Sequence, residues 1–239
     1  MRRIPPETFD RPWLLLCEGD GDRRFFDRLI KQHNIGSGQF DVHYPTKGDN
    51  STGGRGKFGA WLSTIQMSPT FRANVKAVLI VSDNDDKPAK SIGDVMGGLV
   101  ATNGFPVPAA ERVVARRTGY PDIVILMIPM DEPGNLETLC VRAAYTKWPL
   151  EKPLNRYVSA TPAANWHVGK QSKMRMQALL AATCETKPDT SLANHWQERD
   201  EFHIPLGDPA FTKIIQFLNG FGALLSGALS KGAAGGRSS

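Results

Sequence analysis

The chain has 239 residues, of which 41% are hydrophobic and 22% are charged, with a formal net charge of +5. This composition is typical of a globular protein of one or two domains and argues against a disordered chain. The small positive charge allows a polyanionic partner such as nucleic acid but does not require one. The apolar runs are too short for a membrane span. Three isolated cysteines without CxxC spacing argue against a zinc site and fit a reducing cytoplasm.

Strand and helix patterns alternate through the first 150 residues. The predicted strands are 13–17, 40–44, 75–81 and 123–130, and the predicted helices lie between them. The run 75–81 is continuously apolar, as in strands that are covered on both faces. The alternation therefore predicts an α/β fold with a mainly parallel sheet flanked by helices.

After residue 150 only helical patterns remain, in residues 168–185, 191–200 and 209–225. We therefore expect an α/β domain over 1–150 and a helical C-terminal extension over 151–225 that packs on it. Residues 226–239 are mostly small and predict a disordered tail.

Acidic residues follow two of the predicted strands directly. Glu18 ends the first strand, and Asp83, Asp85 and Asp86 follow the run 75–81. Functional groups of open parallel sheets gather at the carboxyl ends of the strands, so these carboxylates are expected to converge if the strands are neighbours. Several close carboxylates do not all stay ionised without a cation, and oxygen-only ligands suit Mg²⁺ or Mn²⁺. The alternative is that these acids only form turns and cap helices.

The two acidic motifs resemble a known family. "LLLCEGDGDRRFF" is similar to the strand-Glu-Gly-x-x-Asp signature of the TOPRIM domain, and "VLIVSDNDD" is similar to its Asp-x-Asp motif. The nearer resemblance is to the stand-alone TOPRIM-like proteins of the DUF3226 and DUF4435 type, which are related to the OLD nucleases. "IPMDEPGNLETL" and "GKQSKMRMQALLA" extend this resemblance, which runs from about residue 12 to residue 220. It implies a TOPRIM-like, Rossmann-like fold.

The resemblance also implies the roles of individual residues. Glu18 is implied to be a metal ligand and a catalytic acid or base, in a site for one or two Mg²⁺ or Mn²⁺ ions. The other implied metal ligands are Asp22, Asp83, Asp85 and Glu137, and the implied catalytic lysine is Lys173 or Lys170.

The loop after the second strand is rich in glycine and basic residues. Its "GRGKFG", residues 54–59, fits GxGxxG formally, but about ten loop residues separate it from the strand, which does not favour a dinucleotide site. One interpretation is a plain flexible loop. The other is a nucleic-acid-binding loop in which Lys47, Arg55 and Lys57 contact the phosphate backbone.

The function predicted from these features is divalent-metal-dependent cleavage of phosphodiester bonds in DNA or RNA, in the cytoplasm. The chain has no GxxxxGK[ST] motif, and OLD-like relatives pair with ATPases. The resemblance therefore implies an ATPase partner of the ABC or AAA type and a role in antiviral defence against phage. The alternative is a non-catalytic regulatory module that binds metal and nucleic acid. The sequence does not indicate an oligomeric state.

Overall fold

The computed structural model describes residues 8–45, 54–102, 104–196 and 204–227. Within these ranges the strands form one sheet with the order β2-β1-β3-β4, and every neighbouring pair is parallel. The strands are β1 (Trp13–Leu16), β2 (Phe40–His43), β3 (Ala77–Asp83) and β4 (Asp122–Ile128). The predicted α/β fold with a mainly parallel sheet is confirmed.

Helices connect the strands and continue beyond the last one, as the sequence predicted. The helices are α1 (Asp20–His33), α2 (Phe58–Ile65), α3 (Pro69–Asn74), α4 (Pro88–Val100), α5 (Leu136–Lys147), α6 (Glu151–Ser159), α7 (Val168–Thr183), α8 (Leu192–His195) and α9 (Thr212–Leu225). No helix in the described part of the chain is long and apolar enough to cross a membrane.

Helices cover both faces of the sheet, which explains why its central strands are apolar throughout. Leu15 faces a hydrophobic cluster that includes Leu180 of α7 and Leu218 of α9. Leu14 faces a second cluster, with Leu62 of α2 among its members. Helices beyond residue 150 therefore share a core with the sheet. The division of the chain at residue 150 stays a prediction, and residues 228–239 of the expected tail lie outside the described ranges.

Strand β3 continues two residues beyond its predicted end. It includes Ser82 and Asp83, because both stay in register with β4, where Asp83 pairs with Ile128. An acid that the sequence placed after the strand is thus the strand's last residue. The ladder with β4 holds its backbone firmly at the carboxyl edge of the sheet.

Candidate functional site

Glu18 reaches from the end of β1 to the end of its neighbour β3. Its carboxylate oxygen Oε1 accepts hydrogen bonds from the Ser82 hydroxyl and from the backbone N–H of Asp83, the latter at 3.1 Å. Strands β1 and β3 pair side by side, so the two acidic motifs meet as the parallel-sheet argument predicted. The Glu18 side chain is only 22% exposed.

Asp83 and Asp85 lie on either side of a buried asparagine that fixes the turn after β3. Asp83 Oδ1 accepts the backbone N–H of Leu136, the first residue of α5, at 3.0 Å. Asn84 points away from the site and donates to the carbonyls of Pro129 and Glu132 at 2.7 and 3.0 Å. These bonds fix the turn from which both carboxylates project.

Asp22 takes part in the cap of helix α1, as the helix-capping interpretation expected. Its Oδ2 accepts the N–H of Gly19, the residue that caps α1, at 3.1 Å. The same pattern holds for the other acids, each of which accepts from the protein through one oxygen. Within the described ranges, the second oxygen of each carboxylate has no hydrogen-bond partner: Glu18 Oε2, Asp22 Oδ1, Asp83 Oδ2 and Asp85 Oδ1. Capping and an open ligand position are therefore compatible in the same side chain.

Helix α7 approaches the site closely because its second residue is a glycine. Gly169 O accepts from Asn135 Nδ2 at 3.1 Å, and a Cβ on Gly169 would come within 3.2 Å of that nitrogen. A hydrogen bond of 2.9 Å between Thr138 and Ser172 ties α5 to α7. This packing sets the rotation of α7 about its axis.

The rotation of α7 directs Lys173 towards the carboxylates. Partial desolvation opposes a high pKa for Lys173, but Glu137 and then Asp83, Asp85 and Asp22 raise it above its ordinary value. The pKa values of Asp22, Asp83 and Glu137 are raised mainly by burial, and the positive charge of Lys173 offsets part of that rise. Lys173 and Lys170, about one turn earlier, are both exposed, so exposure does not distinguish them. The interaction of Lys173 with the four carboxylates that raise its pKa favours it over Lys170.

The carboxylates raise one another's pKa. Burial raises the pKa of Asp22 to about 7, with further contributions from Glu137 and Glu18. Burial also raises the pKa of Asp83 well above its usual range, reinforced by Asp22, Glu18 and Glu137. The pKa of Glu137, in the first turn of α5, is raised mainly by burial. Burial and mutual repulsion therefore disfavour the ionised forms of these carboxylates, and a bound cation would stabilise them.

The side chain of Arg55 points towards the carboxylates, whereas the sequence predicted a contact to a phosphate backbone. Its guanidinium points inward and is 2.9 Å from Asp85 Oδ2 and 3.4 Å from Glu18 Oε1. It also donates to the hydroxyls of Ser82 and Ser91, both at 3.0 Å, and its side chain is only 15% exposed. In this conformation the guanidinium is occupied by protein partners, and the contact of Arg55 to a phosphate backbone stays a prediction.

The other two residues of the predicted basic loop differ from Arg55. Lys57 is exposed, as a contact to a phosphate backbone requires, and Lys47 lies outside the described residues. Ser91 was missed by the sequence interpretation, and no local pattern identifies it, because its partner Arg55 is 36 residues away.

The donor set fits a hard divalent cation, since its free atoms are carboxylate oxygens without sulfur or imidazole. Glu18, Asp22 and Asp83 each accept a hydrogen bond that orients the carboxylate, as metal-ligating carboxylates in proteins commonly do. In this conformation no three acidic, histidine or cysteine side chains of the described ranges are already grouped as a metal site. The Arg55 guanidinium lies between Glu18 and Asp85 and supplies positive charge there.

Fold and site together define an α/β protein with a carboxylate cluster and a lysine at the carboxyl edge of a parallel sheet. The chain belongs to the family described as protein of unknown function (DUF3226), whose model matches residues 12–221. The C-terminal region of the OLD protein of Xanthomonas campestris pv. campestris is structurally similar, at 13% identity and a TM-score of 0.36. That match covers 92% of this chain and 99% of the other. No curated protein matches the chain.

Proposed function

We propose that this protein is a divalent-metal-dependent nuclease of the TOPRIM type that hydrolyses phosphodiester bonds in DNA or RNA. The observation that carries the proposal is the set of carboxylates from three elements that each keep one oxygen unpaired within the described ranges. Lys173 accompanies them, and its charge acts on the same carboxylates. Such a group is suited to holding Mg²⁺ or Mn²⁺ beside a phosphate.

Each residue of the site has a role in this proposal. Asp83 and Asp85 hold one ion, and Glu18 with Asp22 and Glu137 holds a second or moves a proton. One or two bound ions would supply an activated water and neutralise charge on the leaving oxygen. Lys173 donates to a non-bridging phosphate oxygen, where negative charge grows in the transition state. Arg55 contacts one oxygen of Glu18 and one of Asp85, so a bound ion would compete with it for these two carboxylates.

Cleavage assays test the proposal directly. The protein is incubated with supercoiled plasmid, single-stranded DNA and single-stranded RNA, with Mg²⁺, Mn²⁺ or EDTA. We expect divalent-ion-dependent products from the wild-type chain and none from Asp83→Asn. Arg116→Gln is the matched control, because Arg116 pairs with Asp122 at the opposite end of β4. Metal-independent products, or equal activity of Asp83→Asn, would contradict the proposal.

A second candidate is a module that binds metal and nucleic acid without cutting. One observation favours it, namely that Arg55 already neutralises Glu18 and Asp85 in the described structure. The two candidates differ in one measurement. A non-catalytic module would bind Mn²⁺ and nucleic acid but give no products with any of the three substrates.

We also propose the cellular setting that the resemblance implied, a cytoplasmic nuclease that acts in phage defence with an ATPase partner of the ABC or AAA type. What supports it is the resemblance of the two acidic motifs to those of OLD-like proteins, which pair with ATPases. Co-purification with the product of a neighbouring ATPase gene, followed by phage-plating assays with and without Asp83→Asn, tests it.

A further inference from the structure

Exposed aromatic side chains are rare in this protein and occur on one segment. Tyr157 at the end of α6 is 56% exposed and Trp166 just before α7 is 46% exposed. They are the only aromatic residues in the described ranges that are exposed to this degree, whereas the other aromatic side chains are at least partly covered. Exposed aromatic rings retain a large apolar area that a partner can cover.

Hydrogen bonds hold the backbone of Trp166 on both sides of its side chain. The Trp166 N–H donates to Ala163 O at 3.1 Å, and Gln171 Nε2 donates to Trp166 O at 2.9 Å. Ala163 itself is buried, with 3% of its surface exposed. A held backbone and a side chain with only two χ angles lower the conformational entropy that is lost when a ligand stacks on the ring.

Trp166 stands close to the carboxylate site along the chain. The next residue, His167, has Nδ1 3.3 Å from Asp86 Oδ2, and Asp86 follows Asp85 directly. Three residues after Trp166, Gly169 contacts Asn135 at the start of α5. Three residues span at most about 11 Å of extended chain, so the Trp166 Cα lies within about that distance of the Gly169 Cα.

The charge of the same segment selects the class of partner. Residues 150–175 contain five basic residues and one acidic residue, Glu151. Four of the basic residues, Lys152, Arg156, Lys170 and Lys173, are exposed, and none of the four forms an ion pair within 4.0 Å of another described residue. Unpaired positive charge beside exposed rings suits a polyanion that has flat faces of its own, which is a nucleic acid with unstacked bases.

We propose that the α6–α7 segment, residues 151–170, binds a single-stranded nucleic acid by stacking bases on Trp166 and Tyr157 and directs the strand into the carboxylate site. This inference rests on the proposed nuclease function and specifies its substrate as single-stranded. Duplex is disfavoured because its bases are stacked on one another and offer no free face to either ring. The lysines and arginine contact the backbone phosphates without reading the sequence.

Fluorescence anisotropy in EDTA tests the surface without any contribution from cleavage. The probes are a labelled 20-nucleotide oligo-dT, the matching oligo-U and a labelled duplex of the same length. We expect the wild-type chain to prefer the single strands, and Trp166→Ala to weaken their binding by about tenfold, the range for one lost base stack. Trp166→Phe should recover much of the loss, since a smaller ring still stacks. Met67→Ala is the control, because Met67 is 70% exposed and lies near the opposite edge of the sheet.

The salt dependence of binding tests the contribution of the basic residues separately. The double variant Lys152→Gln and Arg156→Gln should lower the slope of log Kd against log salt by about 1.4, the value for two phosphate contacts on a single strand. Unchanged binding of Trp166→Ala, or an equal loss in Met67→Ala, would overturn the proposal, as would a wild-type preference for duplex. A failure of the nuclease proposal would give a different result. Single strands would then bind through Trp166, but no cation would produce cleavage.

Discussion

Replacing Arg55 should increase the affinity of the carboxylate site for a divalent cation. The guanidinium lies 2.9 Å from Asp85 Oδ2 and 3.4 Å from Glu18 Oε1, so it competes for the oxygens that would coordinate the ion. A guanidinium left about 5 Å from a doubly charged ion opposes its binding by about 1.7 kcal/mol even at the dielectric constant of water. If Arg55 instead moves away, the ion must offset its bonds to Ser82, Ser91 and Asp83 O. Both routes predict that Arg55→Gln binds Mn²⁺ about tenfold more tightly or better.

Isothermal titration of Mn²⁺ into the metal-stripped protein measures this affinity. Arg55→Lys keeps the charge and should stay near the wild-type Kd, whereas Arg55→Gln should move away from it. Arg116→Gln removes an arginine that pairs with Asp122 at the amino end of β4 and should leave the Kd unchanged. Thermal melts confirm that each variant is folded. A weaker or equal Kd for Arg55→Gln would refute the reasoning and would mean that Arg55 orients the ligands instead of competing with the ion.

Three further predictions concern the acids themselves. Asp83→Asn keeps an acceptor for the Leu136 N–H but removes the repulsion between Asp83 and its neighbouring carboxylates. Its melting temperature in EDTA should therefore rise, while the stabilisation by Mn²⁺ should disappear. An unchanged response to Mn²⁺ would argue against a metal at Asp83. Glu18→Gln keeps the shape but loses charge and basicity, so cleavage should fall by about a hundredfold or more while gel shifts with single strands persist; cleavage at the wild-type rate would remove Glu18 from catalysis. The pKa of Asp22, about 7 in the folded chain, lies above the usual 3.8, so protonation favours folding and this stabilisation is lost as the pH rises towards and through 7. The melting temperature in EDTA should therefore fall between about pH 5 and pH 8, and it should fall less steeply in Asp22→Asn. An equal pH dependence in the variant would contradict the assignment.

The sequence alone was sufficient to predict the strand layout and the meeting of the acids. Continuous apolar runs mark the strands, and a parallel sheet brings their carboxyl ends to one edge whichever helices follow. For this reason the sequence could place Glu18 beside Asp83, although 65 positions separate them. The hydrogen bond of 3.1 Å from Asp83 N–H to Glu18 Oε1 confirms that they meet. Strand β3 was predicted to end before Ser82, because polar residues at a strand end look the same as the start of a loop.

Two features of the site could not be derived from sequence, for different physical reasons. Lys170 and Lys173 lie about one turn apart on α7, and only the packing of Gly169 and Ser172 against α5 decides which lysine faces the acids. Arg55 was interpreted from its glycine-rich neighbours as a surface residue. Its inward orientation depends on partners at positions 82, 85 and 91, and no local pattern encodes such long-range contacts.

Other residues of the chain cover part of each border of the sheet, which limits strand addition by a second copy. Along β4, residues 112–115 run antiparallel to the strand and occupy its outer groups, with Ala115 and Ile123 exchanging hydrogen bonds of 2.9 and 3.0 Å. Along β2, Arg11 covers the carbonyl of Phe40 at 2.7 Å, and the strand is only four residues long. A free edge is what templates intermolecular β-pairing and aggregation. Partial cover of both borders therefore makes edge-to-edge pairing with a second copy less favourable.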